Sequence, residues 1–277
     1  MVELKKFICG TCGVQFKSSI AAPEKCVICN EERQYVSSHG QTWTTLEKMV
    51  QKGTYRNTIV SEEAGLYSVH TTPRFGIGQT AYYVQGNGYN LLWDCITYID
   101  AATIKEIESM GGIDAIALSH PHYYSSQVEW AEAFDVPIYI HEDDKEWVMR
   151  PSEKIVYWSG ESLELHDDII LQRVGGHFKG ATVLEWRSGN HKKGILLSGD
   201  ILRVVADRQW VSFMYSYPNF IPLPATTVEK IAANLNGLKF DRLYDAFHLV
   251  IKEEANACVQ ESAKRYIDAL NGVLFTT

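Results

Sequence analysis

The 277-residue chain lacks long hydrophobic runs, and it lacks an excess of positive charge. No apolar stretch approaches the roughly 20 residues that a transmembrane helix needs, and residues 1–8 contain no continuous apolar core of the kind found in a cleaved secretion signal. Acidic residues outnumber basic ones by 34 to 26, which gives a formal net charge of −8, and no basic run is interleaved with aromatic residues. We therefore expect a cytoplasmic protein that binds neither membranes nor nucleic acid.

The remaining composition is that of an ordinary globular protein, with 45% apolar and 22% charged residues. The chain is long enough for one large core and one small module. Residues 1–45, the cysteine module, are rich in cysteine and in turn-forming residues and show no long apolar periodicity. Residues 46–277 alternate between strand and helix signals. We predict two domains with this boundary.

The pattern of residues 46–277 predicts an α/β (α+β) fold. Its apolar, β-branched or aromatic runs are predicted strands, and its segments with apolar spacings of three and four are predicted helices. The predicted strands are 66–70, 80–85, 89–93, 113–118, 137–140, 169–174, 182–186 and 194–197. The predicted helices are 42–51, 101–110, 127–134, 226–235 and 253–270. Antiparallel strand signals come first and strand–helix units follow, which favours stacked sheets covered by helices.

Two C-x-x-C pairs dominate the cysteine module: Cys9 with Cys12, and Cys26 with Cys29. A C-x-x-C pair in a tight turn directs two thiolates at one ion, and two such pairs complete a tetrahedral site. In a reducing compartment such thiols persist as a metal site. We predict a structural zinc ion. Iron, as in rubredoxin, is the first alternative, although rubredoxins usually have a longer spacing between the pairs; two disulfides are the second.

Residues that bind metals follow several of the predicted apolar strands. One of these groups is an H-x-H pair, which on its own fits an incidental surface loop as well as it fits a metal site. The recurrence of histidine or aspartate after further strands favours a metal centre. In chain order, the residues concerned are Asp94, His120, His122, His177, Asp200 and His248.

This order resembles the metallo-β-lactamase superfamily, whose pattern is H-x-H-x-D-H, then Gly-His-x-x-Gly-Ser/Thr, then Gly-Asp and a late histidine. The most specific matches are Gly-His-Phe-Lys-Gly-Ala-Thr at 176–182 and Ser-Gly-Asp at 198–200. The resemblance covers residues 55–250, and residues 26–46 look like the zinc-ribbon extension of one branch of the superfamily. It implies an αββα sandwich with a metal site at one edge of the two facing sheets.

The resemblance also implies roles for the individual residues. His120, His122 and His177 would form a three-histidine site for a first metal. Asp200 would bridge to a second metal, which His248 would also hold. The acid at position 94 would orient a ligand, although an acid there also caps a following loop.

The sequence departs from the family pattern directly after the H-x-H pair, where Tyr124 and Ser125 replace an aspartate and a histidine. The second metal would keep only Asp200 and His248, which are too few ligands for tight binding. We therefore predict one zinc or iron ion at the main site, with Asp200 as a fourth ligand or as general base. Tyr124 could donate a hydrogen bond to an oxyanion, ligate a ferric ion or simply fill the vacated volume.

These residues predict a metal-dependent hydrolase with one ion at its main site, because a three-histidine zinc centre lowers the pKa of water towards neutrality. The substrate would be a small molecule with an ester, thioester, lactone or phosphodiester bond. Two alternatives stay open: a metal-binding or interaction protein on a degraded hydrolase scaffold, and an iron-dependent redox protein. The composition is also compatible with a homo-oligomer.

Overall fold

The computed structural model describes residues 3–276, which divide by their contacts into two units. The first unit contains the residues up to Ile140 together with Asp144–Trp158. The second contains His141–Asp143 and the residues from Ser159 onward. Within 3–276, no helix combines the length and the hydrophobicity that crossing a bilayer requires.

The first unit is built on a seven-stranded sheet in the order β3-β4-β5-β6-β7-β8-β9, and β1 pairs separately with β2. Pairing is antiparallel from β3 to β6 and parallel from β6 to β8. The strands are β1 (Ile8–Cys9), β2 (Trp43–Thr44), β3 (Arg56–Glu63), β4 (Leu66–Thr72), β5 (Ala81–Gln85), β6 (Asn90–Trp93), β7 (Ala115–Ala117), β8 (Ile138–His141) and β9 (Ile155–Trp158). The helices are α1 (Leu46–Lys52), α2 (Ala101–Ser109) and α3 (Gln127–Phe134), with 3₁₀ segments at Pro121–Tyr123 and Glu142–Trp147.

Local sequence signals set the helix ends of this unit. Thr45 caps α1 by accepting a hydrogen bond from the backbone N–H of Lys48, and Gly53 ends the helix with a left-handed φ of 60°. Asp100 caps α2 in the same way, accepting the Thr103 N–H at 2.8 Å. The central strand β7 is buried along its whole length, so it fixes the position of the residues that follow it.

The second unit is built on a six-stranded sheet in the order β10-β11-β12-β13-β18-β19, in which only β13 and β18 pair in parallel. Two small sheets pair β14 with β15 and β16 with β17. The strands are β10 (Ser162–His166), β11 (Ile169–Arg173), β12 (Thr182–Trp186), β13 (Ile195–Leu197), β14 (Arg203–Val204), β15 (Val211–Ser212), β16 (Met214–Ser216), β17 (Ile221–Pro222), β18 (Arg242–Tyr244) and β19 (Val250–Ile251). The helices are α4 (Gly189–Lys192), α5 (Ala225–Asn236) and α6 (Ala255–Leu270).

Most predicted elements are present, with ends shifted by one or two residues. The predicted helix 127–134 and strand 182–186 have the predicted bounds. The predicted helix 42–51 is wrong at its start, because Trp43–Thr44 forms β2 and the Thr45 cap delays the helix to Leu46. Strand β3 was not predicted, because its polar, half-exposed edge sequence has little hydrophobic alternation.

Candidate metal centres

The four cysteines of the module lie together, with their sulfur atoms all within 4.8 Å of one another. The Sγ–Sγ distance is 3.6 Å both for Cys9 with Cys29 and for Cys12 with Cys26. Four thiolates around one zinc ion at about 2.3 Å would lie about 3.8 Å apart, whereas a disulfide would need about 2.05 Å. All four cysteines are free. The alternative of two disulfides is therefore wrong, and the arrangement fits one tetrahedral ion.

Hydrogen bonds favour negative charge on one of these sulfurs. The Gln41 side-chain amide donates to Cys9 Sγ at 3.0 Å, and the Cys12 backbone N–H approaches the same sulfur at 3.5 Å. Hydrogen bonds from the thiols of Cys12, Cys26 and Cys29 lower the pKa of Cys9. Burial, in contrast, raises the pKa of Cys12. A cation among the four sulfurs would favour the thiolate form of each.

The H-x-H pair of the main centre follows the buried strand β7 in the first unit. Its two histidines flank Pro121, where a 3₁₀ turn begins. The ring centroids of His120 and His122 lie 5.1 Å apart, and both side chains are buried. The turn therefore keeps both imidazoles close together on the end of one strand.

A chain of hydrogen bonds connects Asp94 to the first histidine. The Asp94 carboxylate accepts the Ser119 backbone N–H at 2.7 Å and the Ser119 hydroxyl at 3.0 Å. The same hydroxyl lies 2.8 Å from Nδ1 of His120. Because that hydroxyl gives its hydrogen to Asp94, it accepts from Nδ1–H, and Nε2 of His120 keeps its lone pair. Asp94 thus acts on His120 through Ser119.

The second unit places His177 and Asp200 after strands β11 and β13. Gly176 has a left-handed φ of 85°, and a Cβ there would lie 2.6 Å from the Ile231 side chain, so the loop requires glycine next to His177. His177 Nδ1 lies 3.1 Å from the backbone carbonyl of Met214, which only accepts, so Nδ1 carries the hydrogen. His177 Nε2 lies 3.7 Å from Asp200 Oδ1.

Four of the predicted ligands form one group that could hold a metal ion: His120, His122, His177 and Asp200. One ligand atom from each lies within 4.8 Å of the others, against about 3.4 Å for neighbouring ligands of a tetrahedral zinc. All four are buried. A buried carboxylate is costly unless positive charge compensates it, so this donor set fits a divalent cation.

His248 is not part of this group. It is exposed, in the loop after β18. In the same loop Asp245 is fully buried and accepts the backbone N–H groups of Val204, Phe247 and Leu249. Burial raises the pKa of Asp245 to about 6. Sequence reasoning passed over Asp245, although it follows an apolar strand as the other two strand-end acids do.

Tyr124 and Ser125 stand where the family has an aspartate and a histidine, so neither offers a carboxylate or an imidazole to the ligand group. Tyr124 lies in the apolar core with Leu118 and Val128, and burial raises its pKa. The Ser125 hydroxyl accepts a hydrogen bond from the Gln79 amide at 2.9 Å. The ligand group therefore contains one carboxylate and fits one ion. Roles for Tyr124 and His248 stay predictions.

Comparison with models of known protein families gives no match. The chain is 60% identical over 271 residues to the Bacillus subtilis (strain 168) protein named "Uncharacterized protein YmaE", and the match covers 98% of this chain and 99% of that protein. This identity over nearly the whole of both chains shows common family membership.

Several solved structures are similar to this chain. The DIM-1 metallo-β-lactamase has a TM-score of 0.58 at 15% identity and covers 76% of this chain and 97% of its own. FIM-1 from Pseudomonas aeruginosa, in its mono-zinc form, has a TM-score of 0.54 at 14% identity, and the match covers 76% of this chain and 96% of FIM-1. A metallo-β-lactamase family protein from Thermus thermophilus has a TM-score of 0.51 at 16% identity and covers 76% and 81%.

At these identities the structural similarity establishes the fold. The predicted metallo-β-lactamase fold, preceded by a cluster of four cysteines, is confirmed. The chain belongs to the same family as Bacillus subtilis YmaE, and it has the metallo-β-lactamase fold.

Proposed function

We propose that the protein is a cytoplasmic metal-dependent hydrolase with one ion, zinc or iron, at its main centre. The observation that supports this proposal is the buried group of three imidazoles and one carboxylate with ligand atoms within 4.8 Å. When bound, such an ion supplies Lewis-acid chemistry and lowers the pKa of water towards neutrality. The substrate is a small molecule with an ester, thioester, lactone or phosphodiester bond.

The chain prepares two of its imidazoles for this role before any ion binds. Ser119, itself held by Asp94, accepts the Nδ1 hydrogen of His120. The Met214 carbonyl accepts the Nδ1 hydrogen of His177. In both rings Nε2 is therefore the atom with a lone pair. Partners of this kind fix the tautomer and the orientation of metal-binding histidines and raise their affinity.

Asp200 supplies the negative charge of the centre. Its Oδ1 lies 3.7 Å from His177 Nε2, which is too long for a hydrogen bond and close to the spacing of two ligands on one ion. We propose that Asp200 would serve the centre either as a fourth ligand beside the three histidines or as the general base that accepts a proton from the attacking water.

Hydrolysis assays on the metal-loaded protein test this function. Chromogenic esters, thioesters, lactones and phosphodiesters would be assayed before and after chelation, and after zinc or ferrous iron is restored. We expect turnover of at least one class, lost on chelation and in His177→Ala. His39→Ala is the matched control, because His39 is exposed in the cysteine module and should leave the rate unchanged.

Two results would contradict the proposal. Turnover that survives both chelation and His177→Ala would place the chemistry elsewhere. Full metal occupancy with no turnover of any of the four classes would favour a metal-binding or interaction protein on the same scaffold.

A further inference from the structure

The cysteine module contacts the segment that carries the H-x-H pair. The Gln15 backbone N–H donates to the Ser125 carbonyl at 2.9 Å, three residues after His122. The Thr97 hydroxyl donates to the carbonyl of Gly13 at 3.0 Å. Gly13 directly follows Cys12, so the contact is made by the turn that holds two of the four sulfurs.

This turn is fitted closely against its neighbours in the first unit. Gly13 has a left-handed φ of 83°, and a Cβ there would lie 2.3 Å from the Thr97 hydroxyl. A Cβ on Gly76 would lie 3.0 Å from the Gly13 nitrogen. Neither position accepts a larger residue without displacement. The backbone of the cysteine module therefore packs closely beside the H-x-H segment.

Ser125 is held in an unfavourable backbone conformation at this contact. Its φ is 44°, in the left-handed region that side chains other than glycine rarely adopt. Its carbonyl accepts from Gln15, and its hydroxyl accepts from Gln79, whose amide also donates to the Cys95 carbonyl at 2.7 Å. Hydrogen bonds from two sides thus maintain the turn after the H-x-H pair.

A partly buried ionic cluster strengthens the same contact on helix α3. The Gln15 side chain donates to Glu129 at 3.1 Å, and Glu129 also accepts from Arg150 at 2.7 Å and from Lys6 at 3.1 Å. Arg150 is itself buried. Helix α3 begins two residues after Ser125. The module is therefore hydrogen-bonded to the loop before the helix, at Ser125, and to the first turn of the helix, at Glu129.

We propose that the cysteine module, when its four cysteines hold an ion, is a positioning element for His120 and His122. The carbonyl of Ser125, three residues after His122, accepts a hydrogen bond from the module. The module thereby supports the loop that carries the two histidines. This inference rests on the proposed function only in taking the two histidines as ligands.

Amide hydrogen exchange on the full-length, metal-loaded chain tests the proposal. Thr97→Val keeps the shape of the side chain and removes the hydrogen bond to Gly13, whereas Thr97→Ser retains it. In Thr97→Val we expect the amides of residues 119–126 to exchange roughly three- to tenfold faster, which corresponds to the free energy of one lost hydrogen bond. In Thr97→Ser they should exchange at the wild-type rate. Cys9→Ser/Cys12→Ser should accelerate them further.

Ser19→Ala is the matched control, because the Ser19 hydroxyl donates to the Ala21 carbonyl in an exposed part of the module. It should leave residues 119–126 unchanged. The proposal is overturned if Thr97→Val accelerates amide exchange in residues 8–17 but not in residues 119–126. It is also overturned if the amides of β5 and β6 exchange equally faster, because that would indicate a general loss of stability. The measurement needs no substrate, so it stands independently of a failed hydrolysis assay.

Discussion

Replacing Asp94 by asparagine tests whether this buried acid sets the state of His120. One Asp94 oxygen accepts the Ser119 N–H at 2.7 Å, and the other accepts the Ser119 hydroxyl at 3.0 Å. Asparagine has the same shape but only one acceptor oxygen. The backbone N–H of Ser119 takes that oxygen, and the new amide then faces the Ser119 hydroxyl as a donor.

The substitution is expected to weaken metal binding by changing the tautomer of His120. The Ser119 hydroxyl now accepts from the amide and turns its own hydrogen towards His120 Nδ1, which lies 2.8 Å away. The imidazole proton moves to Nε2, where it competes with the ion. Loss of such a partner lowers metal affinity about ten- to a hundredfold, or about 1.4–2.7 kcal/mol. Because Asp94 is 1% exposed, water cannot take its place, and we expect the upper part of this range.

Zinc competition with a chromogenic chelator measures this affinity. All variants carry Cys9→Ser/Cys12→Ser, so only the main centre is titrated and any effect of losing the module's ion is common to all. The matched control is Asp114→Asn, because Asp114 also accepts a backbone N–H, that of Asn90, at 2.7 Å, but at the opposite end of β7. An affinity of Asp94→Asn within threefold of its parent, or an equal loss in Asp114→Asn, would refute the reasoning.

Three further predictions concern single residues. Between pH 4 and 7 the free energy of unfolding of the wild type should fall by about 2 kcal/mol relative to that of Asp245→Asn. The pKa of Asp245 is raised to about 6 from 3.8, so its stabilising contribution is complete only below pH 3.8 and is lost as the pH rises through 6. A difference that stays constant in denaturant titrations would contradict this. Gly176→Ala should lower the free energy of unfolding by about 1–3 kcal/mol and weaken zinc binding. Gly237 has open space around it, so Gly237→Ala should change neither the stability nor the zinc affinity. Tyr124→Phe should keep the hydrolysis rate within about threefold, since the phenol lies in the core; a hundredfold loss would instead indicate an oxyanion donor.

The ligands at strand ends could be predicted because each combines an apolar run with a specific local motif. His177 lies in a glycine-rich loop, and Asp200 lies three residues after the end of the buried strand β13. Asp245 has the same kind of signal, since it directly follows strand β18, but the family pattern places a histidine in this loop and predicts His248. An acid directly after a buried strand is therefore informative even where a histidine follows nearby.

Other parts of the site carry no sequence signal. Met214 acts through its backbone carbonyl, 37 residues after His177, and any residue could supply that group. Strands β14 to β17 have two or three residues each, too few for a hydrophobic period. The hydrogen bond between Thr97 and Gly13 spans 84 residues. Such contacts follow from the tertiary fold and not from local patterns.

Metal stoichiometry tests the central claim most directly. Protein purified without added metal would be analysed as wild type, as Cys9→Ser/Cys12→Ser, and as the same variant with His177→Ala. The ligand groups predict about two equivalents, about one and about none, respectively, since each group fits one ion. Two equivalents remaining after the cysteine substitutions would contradict a single-ion main centre, and a wild type that holds no more metal than its His177→Ala variant would contradict a main metal centre altogether.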